Sequence, residues 1–238
     1  MTEIKICGLY RLEDAHIVNE GNPDFAGFVL TPSKRQVTII QADAISKLLS
    51  PSIKRVGVFA KETPEEIAEA ASILELDGIQ LHLDTTPAFL EELMEHLRRY
   101  PFRRKPFLWQ RLPVPSLNGS EAGGELDPKA NFAARYASFP DLSLFDGLLF
   151  DAFHDGQDGG TGKTFEWKSA LGYLEDNRLD SSRIIIAGGL TAENVADAVS
   201  VFSPYAVDVS SGVETNGYKD REKVLRFIET ARKAQVHE

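Results

Sequence analysis

The chain has 238 residues and 26.3 kDa, with 26 Lys and Arg against 36 Asp and Glu, a formal net charge of −10 and a pI near 5.1. Its 42% hydrophobic and 26% charged residues suit a full core and exclude disorder. The negative surplus, with no Lys/Arg-rich run to offset it, argues against nucleic acid and membrane surfaces as partners.

Short apolar or β-branched runs alternate along the chain with segments of helical period. The predicted strands are Glu3 to Cys7, Phe25 to Leu30, Arg55 to Phe59, Gly78 to His82, Phe107 to Arg111, Gly147 to Phe150, Arg183 to Ala187 and Ala206 to Val209. Helices are expected near 12–20, 41–50, 64–75, 87–99, 128–137, 166–175, 191–200 and 220–234. Thr63 and Thr191 each precede acidic residues in the manner of N-caps, and Pro64 falls at a first helical position. Leu112 to Asp127, rich in Pro and Gly, reads as a long loop. Eight strand–helix units in 238 residues is the count and size of an α/β fold of the (β/α)8 barrel type, a parallel eight-stranded TIM barrel in one domain over residues 1–238. An open dinucleotide-binding sheet would need a Gly-rich turn after the first strand, where this chain has Cys7-Gly8-Leu9-Tyr10. The single cysteine, Cys7, excludes an internal disulfide. With no secretory h-region and no run of roughly 18 apolar residues, the expected location is cytoplasmic.

Barrels of this kind carry their chemistry at the C-terminal ends of the strands. Those positions hold Cys7, Gln80 and His82, Arg111, Asp151, Gly188-Gly189 and Ser210-Ser211-Gly212. Strand alternation puts Lys5 on the face of Cys7, and a buried Lys5 would take Asp208 of the eighth strand as its partner. Turns at Gly188-Gly189 and Ser210-Ser211-Gly212 offer backbone N–H groups to a phosphate without basic side chains, which lets an acidic protein take an anionic ligand. Cys7 could serve as a base if a cation stabilised its thiolate, against the ordinary role of a buried small hydrophobe. Asp151 follows three apolar residues, so desolvation would fit it to donate a proton; a cap or a loop ion pair is the alternative. Arg35 could fork onto a carboxylate or simply be solvated. The five histidines, at 16, 82, 96, 154 and 237, show no metal-ligand spacing.

Several motifs occur in a specific order. They are Lys5-Ile6-Cys7-Gly8, Gly27-Phe28-Val29-Leu30 leading to Ser33-Lys34-Arg35, Val56-Gly57-Val58-Phe59, Gln80-Leu81-His82, the run Gly159 to Trp167, Ala187-Gly188-Gly189-Leu190, and Val207 to Glu214. In this order the chain resembles the phosphoribosylanthranilate isomerases over nearly its whole length. The resemblance implies a (β/α)8 barrel of tryptophan biosynthesis that converts N-(5-phosphoribosyl)anthranilate to 1-(2-carboxyphenylamino)-1-deoxyribulose 5-phosphate, an Amadori rearrangement without cofactor or metal. It implies Asp151 as general acid at the furanose ring oxygen and Cys7 as general base at C2′. Arg35 would then hold the anthranilate carboxylate, with Gly188, Gly189, Ser210, Ser211 and Gly212 at the phosphate. Leu83, Trp109-Gln110-Arg111 and the long loop after strand five depart from the family pattern. The alternatives are the histidine-pathway sugar isomerase, which has an aspartate at the Cys7 position, and a non-catalytic phosphosugar-binding barrel. A monomer is expected, with association to the next pathway enzyme left open.

Overall fold

Alternation along each strand divides the apolar residues into two separate clusters, and that division is the architecture. The computed structural model describes residues 1–113, 141–151 and 180–234. The predicted helices near 128–137 and 166–175, residues 114–127 of the predicted loop, His154 and the run from Gly159 to Trp167 lie outside them; Leu112 and Pro113, read as the start of the Leu112 to Asp127 loop, instead extend the fifth strand. The elements in chain order are β1 (Glu3–Cys7), α1 (Leu12–Gly21), β2 (Phe25–Val29), α2 (Ile39–Ser46), β3 (Lys54–Phe59), α3 (Pro64–Ile73), β4 (Gly78–Leu81), α4 (Pro87–Arg99), β5 (Phe107–Pro113), β6 (Gly147–Asp151) and β7 (Ile184–Ala187). There follow α5 (Val195–Phe202), β8 (Ala206–Val209), the short strands β9 (Glu214–Thr215) and β10 (Tyr218–Lys219), and α6 (Arg221–Lys233). Strands β1 to β8 pair in sequence order, all parallel, and β8 closes back on β1. The chain is therefore a (β/α)8 barrel.

Ile4, Ile6, Ala26, Phe28, Ile79, Leu81, Leu148, Phe150, Ile184, Ile186, Val207 and Val209 point outward and form one core with the helices. Phe25, Val56, Trp109, Leu149, Ile185 and Ala206 point inward and fill the barrel. Volume is matched across the strands there. Trp109 is the register partner of Gly147, and a Cβ on that glycine would stand 2.7 Å from the indole. Burial of this kind contributes about 25 cal/mol per Å² of apolar surface.

The N-terminal rim uses a repeated device. Asp24, Asp77 and Asp146, each directly before an even-numbered strand, accept backbone N–H bonds from Ile4, Arg55 and Leu108 of the strand before, each at 2.8 Å. Sequence reading found no repeat beyond the strand–helix alternation, because one aspartate per two units is invisible without the register. The Thr63 cap is present as a full capping box with Pro64 in the first turn, and Thr38 builds a second box with Gln41. The Thr191 cap is corrected. Thr191 accepts from the N–H of Glu193 and its carbonyl from Val195, which makes a turn, and the helix starts only at Val195.

One ion pair joins the closing seam of the barrel. Lys5 and Asp208 are register partners on β1 and β8, both buried, with Lys5 Nζ 2.8 Å from Asp208 Oδ2. Removing one member of such a pair strands the other in low dielectric. Asp208→Ala is expected to lower stability by about 3–5 kcal/mol, and Lys5→Met combined with Asp208→Leu to recover most of it; denaturant unfolding of the three proteins measures both.

Candidate active site

The inward parity that fills the lower barrel with apolar residues gives polar ones at the C-terminal mouth. Lys5 and Cys7 on β1, Gln80 and His82 at the end of β4, Arg111 on β5, Asp151 on β6, and Asp208 and Ser210 at the end of β8 all fall on it. The strand-end residues singled out by sequence are thus directed to one mouth.

Cys7 is 7% exposed. Its sulfur has room because residue 27 on the neighbouring strand is glycine; a Cβ there would lie 2.7 Å from Sγ. Burial pushes the thiol above its ordinary range, with Asp208 adding to the rise, against the pull of the Lys5 and Lys219 cations. The stabilising cations that sequence asked for are present, but desolvation outweighs them, and the resting group is the thiol. Lys5 itself is drawn down by burial, yet the Asp208 carboxylate holds it up as an ammonium.

Asp151 and Arg111 face each other across β6 and β5, with Nε 3.3 Å from Oδ2. Sequence offered a cap or a loop ion pair as the alternative for Asp151; an ion pair is present, between two strands. Residue 110 points the other way. The Gln110 side-chain nitrogen donates to the carbonyls of Leu83 and Arg111, each at 2.9 Å, and its oxygen accepts from Thr85. Two of the departures noted in sequence, Leu83 and Gln110, are thereby one tie between β5 and the loop after β4.

Arg35 is not solvated. Its Nε and Nη2 donate to the two carboxylate oxygens of Glu214, at 2.7 and 2.6 Å. Lys219 also reaches Glu214, at 2.7 Å, and donates to the Ser210 carbonyl at 3.0 Å. Sequence reasoning missed this group. Strands of two residues show no alternation, and Glu214 stood in the sequence only as the end of the Val207 to Glu214 motif, with Lys219 five positions on, across Asn216-Gly217.

The two glycine turns meet. A Cβ on Gly212 would stand 1.8 Å from the carbonyl oxygen of Leu190, so only glycine lets the loop after β8 lie on the loop after β7. Gly188 and Gly189 take positive φ of 84° and 65°, and Asn194 fastens their turn by donating to the Gly189 carbonyl and accepting from the Thr191 N–H.

A closed parallel barrel with paired charges, a buried thiol and two interlocked glycine turns at its C-terminal mouth has the build of a (β/α)8 barrel enzyme. The family model for N-(5′-phosphoribosyl)anthranilate (PRA) isomerase matches residues 4–104 and 121–230. The isomerase of Acetivibrio thermocellus is 42% identical over 234 residues, covering 98% of this chain and 97% of that one. The crystal structure of the Thermotoga maritima phosphoribosylanthranilate isomerase superposes with a TM-score of 0.76 at 33% identity, over 98% of this chain and 100% of that one. A phosphoribosylanthranilate isomerase in complex with reduced 1-(o-carboxyphenylamino)-1-deoxyribulose 5-phosphate matches with a TM-score of 0.72 at 32% identity, over 98% and 100%. The chain belongs to the N-(5′-phosphoribosyl)anthranilate isomerase family.

His82 supplies a check on the electrostatics of the mouth. Burial, then the Arg111 and Lys5 charges, push it from 6.5 down to about 3, so its ring is neutral and Nε2 accepts from the Gln80 amide at 2.6 Å. The unfolded chain takes up this proton near pH 6.5 and the folded one only near 3. His82 thus contributes stability that is present above pH 6.5 and lost as the pH falls towards 3. His82→Gln is expected to remove about 2 kcal/mol of the stability loss between pH 7 and pH 5, where carboxylates titrate little, as read from denaturant midpoints at the two pH values.

Proposed function

We propose that this chain, as a single barrel over residues 1–238, isomerises N-(5′-phosphoribosyl)anthranilate to 1-(2-carboxyphenylamino)-1-deoxyribulose 5-phosphate in tryptophan biosynthesis. Family membership over nearly the full length, with Cys7 and Asp151 both on the inward face of the barrel, carries this reading.

In this scheme the interlocked turns at Gly188-Gly189 and Ser210-Ser211-Gly212 hold the phosphate through backbone N–H groups, and Arg35 takes the ring carboxylate. Asp151, as the acid, gives its proton to the furanose ring oxygen. The C1′–O bond breaks and the nitrogen lone pair forms a C1′=N iminium. Cys7, as thiolate, removes the C2′ proton; that electron pair becomes the C1′=C2′ bond and the iminium electrons return to nitrogen. The enolamine then loses its C2′ hydroxyl proton and gains one at C1′, giving the ketone; Cys7 ends as the thiol it was at rest, and Asp151 recovers its proton from water. The resting thiol first releases its proton to water. Lys5 and Lys219 already favour its thiolate, and the iminium adds a further positive charge beside it in the step that needs the base. The scheme uses no cofactor. We also read the chain as a cytoplasmic monomer, on its single cysteine and the lack of a long apolar surface stripe in the sequence. No helix among the described residues is long and apolar enough to cross a membrane.

Loss of anthranilate-type fluorescence on adding freshly made substrate tests the assignment. Wild-type protein is expected to turn over, Cys7→Ala and Asp151→Asn to lose about 10²–10⁴-fold in kcat, and Arg35→Ala mainly to raise KM. A folded wild type that ignores this substrate and accepts the histidine-pathway aminosugar would reject it. Gly212→Ala, which drives the two turns apart, is expected to weaken competitive inhibition by inorganic phosphate about tenfold or more, about 1.4 kcal/mol.

A further inference from the structure

Glu214 occupies a position that a simple substrate-binding account does not require. It is buried, and both of its oxygens are spent on the side chain proposed to receive the substrate's carboxylate. A guanidinium has two edges that can each take a carboxylate in its plane: one formed by Nε and Nη2, the other by Nη1 and Nη2. Glu214 takes the first edge. The Arg35 side chain remains 29% exposed, while that of Glu214 is 5% and that of Lys219 is 0%.

The position of Arg35 is fixed as well as its orientation. Its stem crosses the turn after Cys7, where a Cβ on Gly8 would lie 2.7 Å from Arg35 Cδ and 3.1 Å from Ser210 Oγ. The guanidinium is thus held at the end of β1, close enough to Cys7 to respond to a charge there. Glu214 is in turn held on the small β9–β10 hairpin. Lys223 donates to its backbone carbonyl at 2.7 Å, Asp220 N–H bonds back to Val213, and Tyr10 Oη donates to the Gly217 carbonyl while its ring stacks on Tyr218.

Charge explains Lys219. Arg35 and Glu214 alone form a neutral pair, with little net attraction for an incoming anion. Burial draws Lys219 down and Glu214 holds it up; as an ammonium, 2.7 Å from Glu214 and sealed from solvent, it makes the trio net positive by one charge. A carboxylate meeting the free edge of Arg35 therefore meets a positive corner and a guanidinium plane already set, and pays little ordering cost on binding.

We propose that Glu214 and Lys219 are positioning residues that hold Arg35 with its outer edge open and keep that corner of the mouth positive, so that they set the preference for a ligand bearing a ring carboxylate. The proposal rests on the reading of Arg35 as the carboxylate's partner.

The test compares affinities for two ligands, reduced 1-(o-carboxyphenylamino)-1-deoxyribulose 5-phosphate and the same compound without its ring carboxylate. In the wild type, loss of the carboxylate is expected to raise Kd about 10- to 100-fold, the range of charge-assisted hydrogen bonds. Glu214→Gln and Lys219→Met are each expected to shrink that ratio several-fold while Kd for the ligand without the carboxylate stays within about twofold, and Glu214→Gln is expected to add nothing in an Arg35→Ala background. Should Glu214→Gln not fold, Glu214→Asp, which keeps the charge and withdraws it by one methylene, gives the same reduced ratio. A purely structural role would weaken both ligands alike and overturn the proposal. So would tighter binding of the carboxylate ligand by Glu214→Gln, since Glu214 would then be its competitor. A wild-type ratio near one would instead remove the underlying reading of Arg35; a large ratio that Glu214→Gln and Lys219→Met leave unchanged would remove only the roles of Glu214 and Lys219.

Discussion

The Lys5–Asp208 ion pair is the interaction on which the site's arrangement depends. It spans the only seam of the barrel at which the first strand meets the last, and so it is formed only when all the intervening strands are in register. Two buried charges at 2.8 Å do not by themselves make a protein more stable than apolar residues of the same volume would. Their value lies in what an alternative register would cost. A shift of β8 by one residue would turn Asp208 away from the barrel and leave Lys5 without a counter-charge in the core. The pair also determines the environment of Cys7, two residues along the same face from Lys5. The ammonium pulls the thiol down against the larger rise from burial, and the carboxylate adds to that rise.

The same balance recurs around the mouth. Lys5 is paired with Asp208, Arg111 with Asp151, and Arg35 and Lys219 share Glu214. Of these, three acids meet four cations. A chain that carries ten more acidic than basic residues thus presents cations to its interior, each with a partner that offsets the cost of burying it. The acidic surplus lies elsewhere in the chain and sets long-range repulsion from polyanions; the local sign at the mouth sets the attraction for a small one.

How far the sequence carries depends on the range of the pattern. All eight strands of the barrel were readable to within one or two residues at their ends, because a buried parallel strand is a short, concentrated apolar signal. The Lys5–Asp208 pair was readable too, since parity and the closure of an eight-stranded barrel fix who meets whom. Glu214 and Lys219 were not. Their strands are two residues long, the contact of Glu214 with Arg35 spans 179 positions, and no local periodicity records it. The start of α5 was misread for a related reason. Thr191 does accept a nearby N–H as a cap would, but its turn closes on Val195, and the helix waits until the Gly188-Gly189 turn has been tied by Asn194. Composition shows that a hydroxyl will find a backbone partner; it does not show which of two successive turns is helical.

Strand β5 shows how departures from a family pattern can be consistent among themselves. Trp109, Gln110 and Arg111 point alternately inward, outward and inward, and each answers to a different neighbour. The indole of Trp109 needs the space that Gly147 leaves on β6, and packs edge-on to Phe25 at 4.9 Å between ring centroids. Gln110 needs carbonyls to donate to, and the chain after β4 supplies one at Leu83 because its backbone passes within 2.9 Å. Arg111 needs an anion, and Asp151 stands one strand over. A glycine-for-indole match, an amide-to-carbonyl tie and an ion pair involve different forces, so the three positions do not have to change together. They are coupled only through the strand that carries them. A lysine at position 111 would bring a point charge on a flexible stem, whereas the guanidinium brings a plane whose Nε lies 3.3 Å from the carboxylate without forming a hydrogen bond to it. The attraction across that gap is Coulombic and weakly directional.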